Sequence, residues 1–226
     1  MKYYSHKDMG HYNHGWLDTY HHFSFADYYD PKRMHYGPLR VVNDDIIDPH
    51  KGFGKHPHKD MEIISYVVEG ALTHGDSMGH DETVHRGEVQ YMSAGTGVYH
   101  SEYNHGDDPV RLLQIWVLPD EKDHTPNYGD YRFKWEERVN SWLHLVGKDA
   151  PVKVHQDVNF YVTYLEEGNK LSFDLGEDRK MYVVQIEGES EVGDMTFKVR
   201  DAIETDESLT FEAKTSSHIL VIEMES

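Results

Sequence analysis

The sequence predicts an all-β protein of the sandwich or barrel type. Short apolar or alternating runs recur along the chain, and glycine, proline and aspartate turn signals separate them. Helical periodicity is weak, and isolated helical turns are expected only at residues 31–36 and 134–142. The sequence YVVEG that ends at Gly70 is echoed by VQIEG, which ends at Gly188. This faint repeat indicates that the second half resembles the first.

The first half contains the clearest strand patterns. Residues 61–69 are apolar on both faces, as is typical of a strand buried between two layers. We read residues 43–45 as a break after a short strand, and residues 48–54 as a loop that leads to His56. The other strands expected in this half are residues 20–25, 39–42, 87–92 and 112–117.

The second half continues the same rhythm after a polar segment, residues 121–149, whose tyrosines and tryptophans indicate a packed inter-domain segment. We therefore expect an N-terminal domain at 1–133 and a C-terminal domain at 134–226. The strands expected in the second domain are residues 160–165, 170–175, 181–186, 189–192, 196–199, 208–212 and 218–224.

Composition excludes several classes of function. The 226 residues include 22 basic and 41 acidic side chains, which gives a net charge of −19. Such a charge repels phosphate, so direct nucleic-acid binding and anionic membrane surfaces are disfavoured. The chain has no cysteine, no secretory signal pattern and no long apolar run. A soluble cytoplasmic protein is the expectation.

Two residue pairs in the first half have the spacing of metal ligands. His56 and His58 are separated by one residue, as are His100 and Glu102, and on a strand each pair lies on one face. If the two strands are neighbours, three imidazoles and a carboxylate converge. Such a set leaves open positions on an octahedral ion, which suits Fe(II) oxygen chemistry, while imidazole also suits Zn, Cu and Ni.

The motifs around these pairs resemble one family closely. The stretches GHYNHGWLDTYHHFSFADYYDP, HPHKDMEIISYVVEG and MSAGTGVYHSEYN are similar to the pirins of the cupin superfamily, especially their bacterial quercetinase-like branch. The resemblance is close over residues 10–133 and looser beyond. It implies a bicupin, with two small β-barrels (double-stranded β-helices) packed together, and one metal, usually iron, in the first barrel only. Cu, Ni, Co and Zn are the alternatives.

The resemblance also implies the ligand set His56, His58, His100 and Glu102. Glu102 is in addition the candidate catalytic residue, which either stays a ligand or swings away and accepts the hydroxyl proton of the substrate. Most cupins instead use the first-motif glutamate, here Glu62, as the fourth ligand. Spacing favours Glu102, because Glu62 lies four residues past His58, about 13 Å along a regular strand. Glu62 is then expected to orient a ligand histidine.

Other side chains were assigned by pattern. At the offset of the internal repeat, Asp174, Gly176 and Lys180 replace His56, His58 and Glu62, so the second barrel is expected to hold no metal. His74 and His80 are expected in a solvent-side turn, and His14, His21 and His22 outside the site. The pocket residues expected from strand alternation are Met61, Ile63, Gln90, Met92 and Gln114.

The resemblance implies a metal-dependent dioxygenase that cleaves flavonols such as quercetin, with a planar aromatic substrate and O2 as its partners. The alternatives are a redox-sensing, iron-binding regulatory module with a protein partner, and a cupin that oxidises another small molecule.

Overall fold

The computed structural model describes residues 1–226 and divides the chain into two units. The N-terminal unit comprises Gly10–Phe133 and Val154–Gln156. The C-terminal unit comprises Met1–Met9, Lys134–Lys153 and Asp157–Ser226. Each unit contains two sheets of antiparallel strands, which confirms the all-β, bicupin fold.

The N-terminal unit follows the first strand, β1 (Lys2–Tyr4), and a 3-10 turn at His6–Asp8, both of which belong to the C-terminal unit. Its strands are β2 (Gly10–Asn13), β3 (Leu17–His21), β4 (Leu39–Ile47), β5 (Gly52–His58), β6 (Glu62–Glu69), β7 (Ala71–Asp76), β8 (Asp81–His85), β9 (Val89–Ser93), β10 (Val98–Tyr103), β11 (Val110–Val117) and β12 (Asn127–Tyr131). They form a seven-stranded sheet, β12-β9-β6-β11-β4-β3-β2, and a four-stranded sheet, β5-β10-β7-β8.

The core of the N-terminal unit lies on the central strands of the seven-stranded sheet. Strand β6 is buried along nearly its whole length, so both of its faces require apolar residues. Val67 packs with Leu72 and Leu112 in one cluster, and Ile63 packs with Met92 in another. Each such aliphatic side chain stabilises the fold by about 1.5–3 kcal/mol when it is fully buried.

After Met1–Met9, the C-terminal unit continues at Lys134 and has a 3-10 turn at Trp135–Arg138. Its further strands are β13 (Leu143–Val146), β14 (Val158–Leu165), β15 (Lys170–Phe173), β16 (Arg179–Glu187), β17 (Glu189–Val192), β18 (Met195–Lys198), β19 (Ala202–Thr205), β20 (Leu209–Ala213) and β21 (Ser217–Glu225). The sheets have the orders β1-β19-β16-β21-β14-β13 and β15-β20-β17-β18.

The division into two units differs at two short segments from the expected single boundary after residue 133. Strand β1 pairs with β19, so the first nine residues belong to the C-terminal unit. Residues Val154–Gln156 belong to the N-terminal unit, where the backbone N–H of Asp120 donates to the carbonyl of His155.

Several local expectations are wrong. Residues 31–36 form turns and bends without a helix, and β3 ends at His21 rather than continuing to residue 25. The expected break at residues 43–45 is part of β4, because these residues pair with β11 on one side and β3 on the other. Residues 52–54, expected in a loop, open strand β5.

No helix in the structure has the length and apolar character needed to cross a membrane.

Candidate metal centre

Neighbouring strands β5 and β10 bring the two histidine-bearing motifs together. His56 is paired in register with His100, and His58 with Val98. Pro57 is tolerated between the two histidines because β5 is the edge strand of its sheet, where a missing N–H leaves no ladder bond unmade. A register shift follows between His100 and Glu102. The two strands are therefore neighbours, as the sequence predicts, and they bring the three imidazoles to one side.

The three imidazoles converge within the geometry of a metal site. Nitrogen atoms of His56, His58 and His100 all lie within 4.8 Å of one another. The Nε2 atoms of His56 and His100 are 3.0 Å apart. Two ligand nitrogens at about 2.1 Å from one ion and at right angles to each other are separated by about 3 Å. The residues present therefore fit a divalent transition metal.

The protonation states of the three histidines also favour metal binding. His56 Nδ1 donates to the carbonyl of Gly54 at 2.7 Å, which leaves the lone pair of Nε2 free for a ligand. His58 Nε2 is buried and has no hydrogen-bond partner. Burial, reinforced by the neighbouring imidazoles, lowers the pKa of His58 to about 4 and the pKa of His100 to about 3. Both rings are therefore neutral at neutral pH, the form that binds metals.

Glu102 is held differently from the histidines. Its buried carboxylate accepts hydrogen bonds from Ser65 Oγ at 2.8 Å, Gln90 Nε2 at 2.8 Å and Gln114 Nε2 at 2.5 Å. These three donors lie on β6, β9 and β11 of the facing sheet. The structure thus groups three of the four predicted ligands and binds the fourth to the opposite wall.

Glu62 does not orient a ligand histidine, and that expectation is wrong. Its carboxylate accepts from Ser93 Oγ at 2.6 Å and from the backbone N–H of His155 at 3.2 Å. Glu62 opens β6, opposite Ser93 on β9, so it points to the Val154–Gln156 segment of the N-terminal unit. The sequence offers no indication that Glu62 binds His155, because these two residues are more than ninety positions apart.

A cavity of about 380 Å³ adjoins His56, His58 and Glu102. Aromatic side chains form much of its wall. Trp116 meets His58 at 4.9 Å and Phe25 at 5.3 Å between ring centroids, both edge to face. The aromatic residues of the wall are Trp16, Phe25, Phe53 and Trp116. This size and lining are typical of a site for a small aromatic molecule.

The expected pocket residues are distributed unevenly. Gln114 lines the cavity, whereas Ile63, Gln90 and Met92 surround a small separate space beside His100 and Tyr128. Met61 lines neither. Gln114 thus lines the larger cavity as expected, whereas Ile63, Gln90 and Met92 line the smaller space next to the predicted ligands His100 and Glu102.

His74 is not a solvent-side residue. It is buried, its Nε2 N–H donates to the carboxylate of Asp76 at 2.9 Å, and its ring stacks on that of Tyr128 at 4.3 Å. Its ring centroid lies 5.4 Å from that of His100. The strand β7 continues through Asp76, so His74 points inward with the alternation of the strand.

Four polar residues of the cavity are absent from the predicted pocket, and the expectation that His21 lies outside the site is wrong. They are Thr19, His21, Asn43 and Asp45 on β3 and β4. Burial raises the pKa of Asp45 to about 7, with Asp44 and Glu102 adding to the rise and the hydroxyl of Thr19 opposing it. Burial lowers the pKa of His21 to about 4. Alternation of Thr19 with His21 and of Asn43 with Asp45 was the available signal.

The comparisons with known proteins agree with this architecture. The Pirin family model matches residues 4–117, and a model described as quercetinase C-terminal cupin domain matches residues 145–224. A protein of Escherichia coli (strain K12) named quercetin 2,3-dioxygenase is 40% identical over 220 residues, which cover 96% of this chain and 95% of that protein. A Caulobacter vibrioides pirin-like protein is 38% identical over 221 residues, 95% of each chain.

A solved structure shows the same fold with a bound metal. The crystal structure of the bacterial pirin YhhW from Escherichia coli in complex with nickel(II) superimposes with a TM-score of 0.91 at 38% identity. The match covers 99% of this chain and 98% of that one. Taken with the converging histidines and the two family models, these matches show that the chain belongs to the pirin family.

Proposed function

We propose that the protein is a metal-dependent dioxygenase that cleaves flavonols such as quercetin. The observation that carries the proposal is the convergence of three imidazole nitrogens beside an aromatic-walled cavity. Relatives named quercetin 2,3-dioxygenase support the choice of reaction. His56, His58 and His100 hold the metal through ring nitrogens, and Glu102 completes the set or acts next to it.

A bound divalent metal would supply a Lewis acid that lowers the pKa of a coordinated hydroxyl group. Iron is the ion implied by the family resemblance, and the Escherichia coli relative binds nickel(II). The protein side of the reaction is positioning. Phe25 and Trp116 hold the flat ring of the substrate and exclude water from its faces.

Glu102 is the residue that handles the proton in this proposal. Glu102 and Gln114 both line the cavity, and Gln114 donates to Oε2 of the carboxylate. An oxygen of Glu102 can exchange this neutral donor for the hydroxyl proton of the substrate. Ser65 and Gln90 hold the other oxygen, so the carboxylate keeps its orientation during the exchange.

The first prediction tests the reaction. Protein loaded separately with Fe(II), Cu(II), Ni(II) or Co(II) is mixed with quercetin under oxygen, and the loss of visible absorbance is followed. We expect at least one metal to support bleaching, and His56→Ala to slow it by more than about 100-fold because a ligand nitrogen is lost. His85→Ala, which changes an exposed histidine of β8, is the matched control and should keep the wild-type rate. An unchanged spectrum with all four metals would refute the proposal.

A further inference from the structure

One wall of the cavity is built from cross-strand pairs of polar side chains. His21 on β3 is paired in register with Asn43 on β4, and Thr19 is paired with Asp45. All four side chains line the cavity. Directly opposed residues of an antiparallel pair that share a face lie side by side, so these residues present a continuous polar strip. The strip belongs to the seven-stranded sheet, whereas His56 and His58 belong to the four-stranded one.

Two atoms of the strip have no partner within the protein. His21 and Asn43 are only 3% and 2% exposed, yet His21 Nδ1 and Asn43 Oδ1 accept no hydrogen bond. Folded proteins pair nearly all such buried polar atoms, so each exception calls for an explanation. Both side chains line the cavity, where a bound molecule can supply the missing partners.

Asn43 Oδ1 can only accept a hydrogen bond, and His21 Nδ1 accepts one in one of the two neutral forms of the ring. Burial keeps this ring neutral, since its pKa is lowered to about 4. A neutral imidazole has a single ring proton, so one of its two nitrogens carries a lone pair. Asn43 Oδ1 is a carbonyl oxygen. A molecule that satisfies this strip must therefore bring hydrogen-bond donors.

The neighbouring side chains reinforce this chemistry. Thr19 donates to Asp45 Oδ1, which leaves the second oxygen of that carboxyl as a further polar atom of the strip. The rings of Phe25 and Trp116 stand edge to face at 5.3 Å and form an apolar surface beside it. Phenolic hydroxyl groups are hydrogen-bond donors carried on a flat aromatic ring, so they suit both the strip and the apolar surface.

We propose that His21 and Asn43 form a hydroxyl-binding subsite that selects aromatic substrates with phenolic hydroxyl groups on the ring remote from the metal. The inference rests on the proposed function for the presence of a flavonol and adds which flavonols are preferred. His21 and Asn43 act as specificity-determining residues, separate from the ligands on β5 and β10.

The test uses three flavonols that share the 3-hydroxy-4-keto group and differ on the pendant ring. Quercetin has two hydroxyl groups there, kaempferol one and galangin none. Binding to the metal-loaded protein is measured under nitrogen by tryptophan fluorescence, so no turnover is needed. We expect wild-type protein to bind quercetin at least about fivefold more tightly than galangin, the effect of one neutral hydrogen bond. In Asn43→Leu the ratio should fall to about one, with galangin bound as well as before.

The thermal melting point separates recognition from a structural role. Because Asn43 Oδ1 has no protein partner, Asn43→Leu should melt at the wild-type temperature or above it, whereas removal of a structural hydrogen bond would lower it. Asn169→Leu, in an exposed turn of the C-terminal unit, is the matched control and should keep the flavonol preference.

The outcomes distinguish the subsite from the reaction. Graded binding without bleaching of quercetin would overturn the proposed reaction and leave the subsite standing. Bleaching without any preference among the three flavonols would overturn the subsite alone. Equal weakening of all three by Asn43→Leu, or no flavonol binding at all, would also overturn it.

Discussion

At the scale of single residues, the N-terminal unit keeps ionisable groups where burial makes their charged forms costly. The imidazoles of His58 and His100 remain neutral for this reason, since burial lowers the pKa of His58 to about 4 and the pKa of His100 to about 3. Asp45 is shifted in the opposite direction, because burial disfavours a carboxylate as much as an imidazolium. Burial of ionisable groups in this way reduces the stability of the fold.

The pH dependence of stability should report Asp45. The pKa of an unfolded aspartate is about 3.9, and burial raises the pKa of Asp45 to about 7. Between these values the folded protein holds a proton that the unfolded chain has released. The stabilising effect of that proton is complete below pH 4 and is lost as the pH rises through 7. The groups that act on the pKa of Asp45 besides burial are Thr19, Asp44 and Glu102, and only the hydroxyl of Thr19 opposes the rise.

We therefore predict that Asp45→Asn gains stability relative to the wild type as the pH rises. The difference in free energy of unfolding should grow by about 2–3 kcal/mol between pH 5 and pH 8. Urea titrations of chelator-treated protein at the two pH values measure it. Asp194→Asn, in an exposed turn, controls for the general charge effect and should show no such growth. Parallel curves for wild type and Asp45→Asn would contradict the assigned shift.

At the scale of elements, the approach of β5 to β10 positions the histidines. The two strands are so close at Gly52 that an added Cβ would lie 2.2 Å from the carbonyl oxygen of Glu102 and 2.6 Å from Cα of Tyr103. Both are backbone atoms, which cannot move aside without shifting the strand. Gly54, two residues along β5, has no atom within 4 Å of the same position.

These two glycines give a matched pair of substitutions. Gly52→Ala should destabilise the protein by about 1–3 kcal/mol and weaken metal binding at least about tenfold, since the shift displaces His56 from His100. Gly54→Ala should change the stability by less than about 0.5 kcal/mol and keep the metal affinity, because its carbonyl still accepts from His56. Thermal melts and competitive metal titration provide the two readings. Equal effects of the two substitutions would show that the strand spacing is not the constraint.

Strands with apolar faces could be predicted from the sequence, and strands with polar inward faces could not. Residues 61–69 and 112–117 are apolar on both sides and were placed within two residues of β6 and β11. The sequence predicts a break at residues 43–45, because Asn and Asp favour turns. In the folded protein Asp44 is instead paired with Arg111 at 2.6 Å, and Asn43 and Asp45 line the cavity.

The candidate site shows the same division. The group of His56, His58 and His100 could be predicted from the sequence. It requires only the His-x-His spacing on one strand and a neighbouring strand that carries His100. The hydrogen bonds of Glu102, Glu62 and His74 depend on the facing sheet or on distant segments, which local patterns do not encode. The partners of these side chains depend on how the strands and sheets are arranged in the folded protein.

At the scale of the whole molecule, the two units share a fold and differ in what fills it. The C-terminal unit has an apolar cluster that includes Met181, Phe197 and Phe211. Its buried His218 binds Glu187 through Nδ1 at 3.0 Å. The described chain holds a single group of three potential ligands, His56, His58 and His100.

We therefore predict one metal ion per chain. Elemental analysis of purified protein should give a stoichiometry near one, and the double substitution His58→Ala with His100→Ala should reduce it to near zero because one nitrogen cannot hold the ion alone. His218→Gln should leave the metal content unchanged. Two ions per chain, or an ion retained by the double variant, would contradict this assignment.

The exchange of short segments between the units has a consequence for protein engineering. Residues Val154–Gln156 return to the N-terminal unit after the chain has left it, and Met1–Met9 start in the C-terminal one. A gene split after residue 133 would separate Glu62 from a backbone donor and β19 from the strand that covers its edge. Moving the N-terminal unit onto another scaffold thus requires residues Val154–Gln156 as well as Gly10–Phe133, and an exchange of whole halves between relatives must carry both short segments with the correct unit.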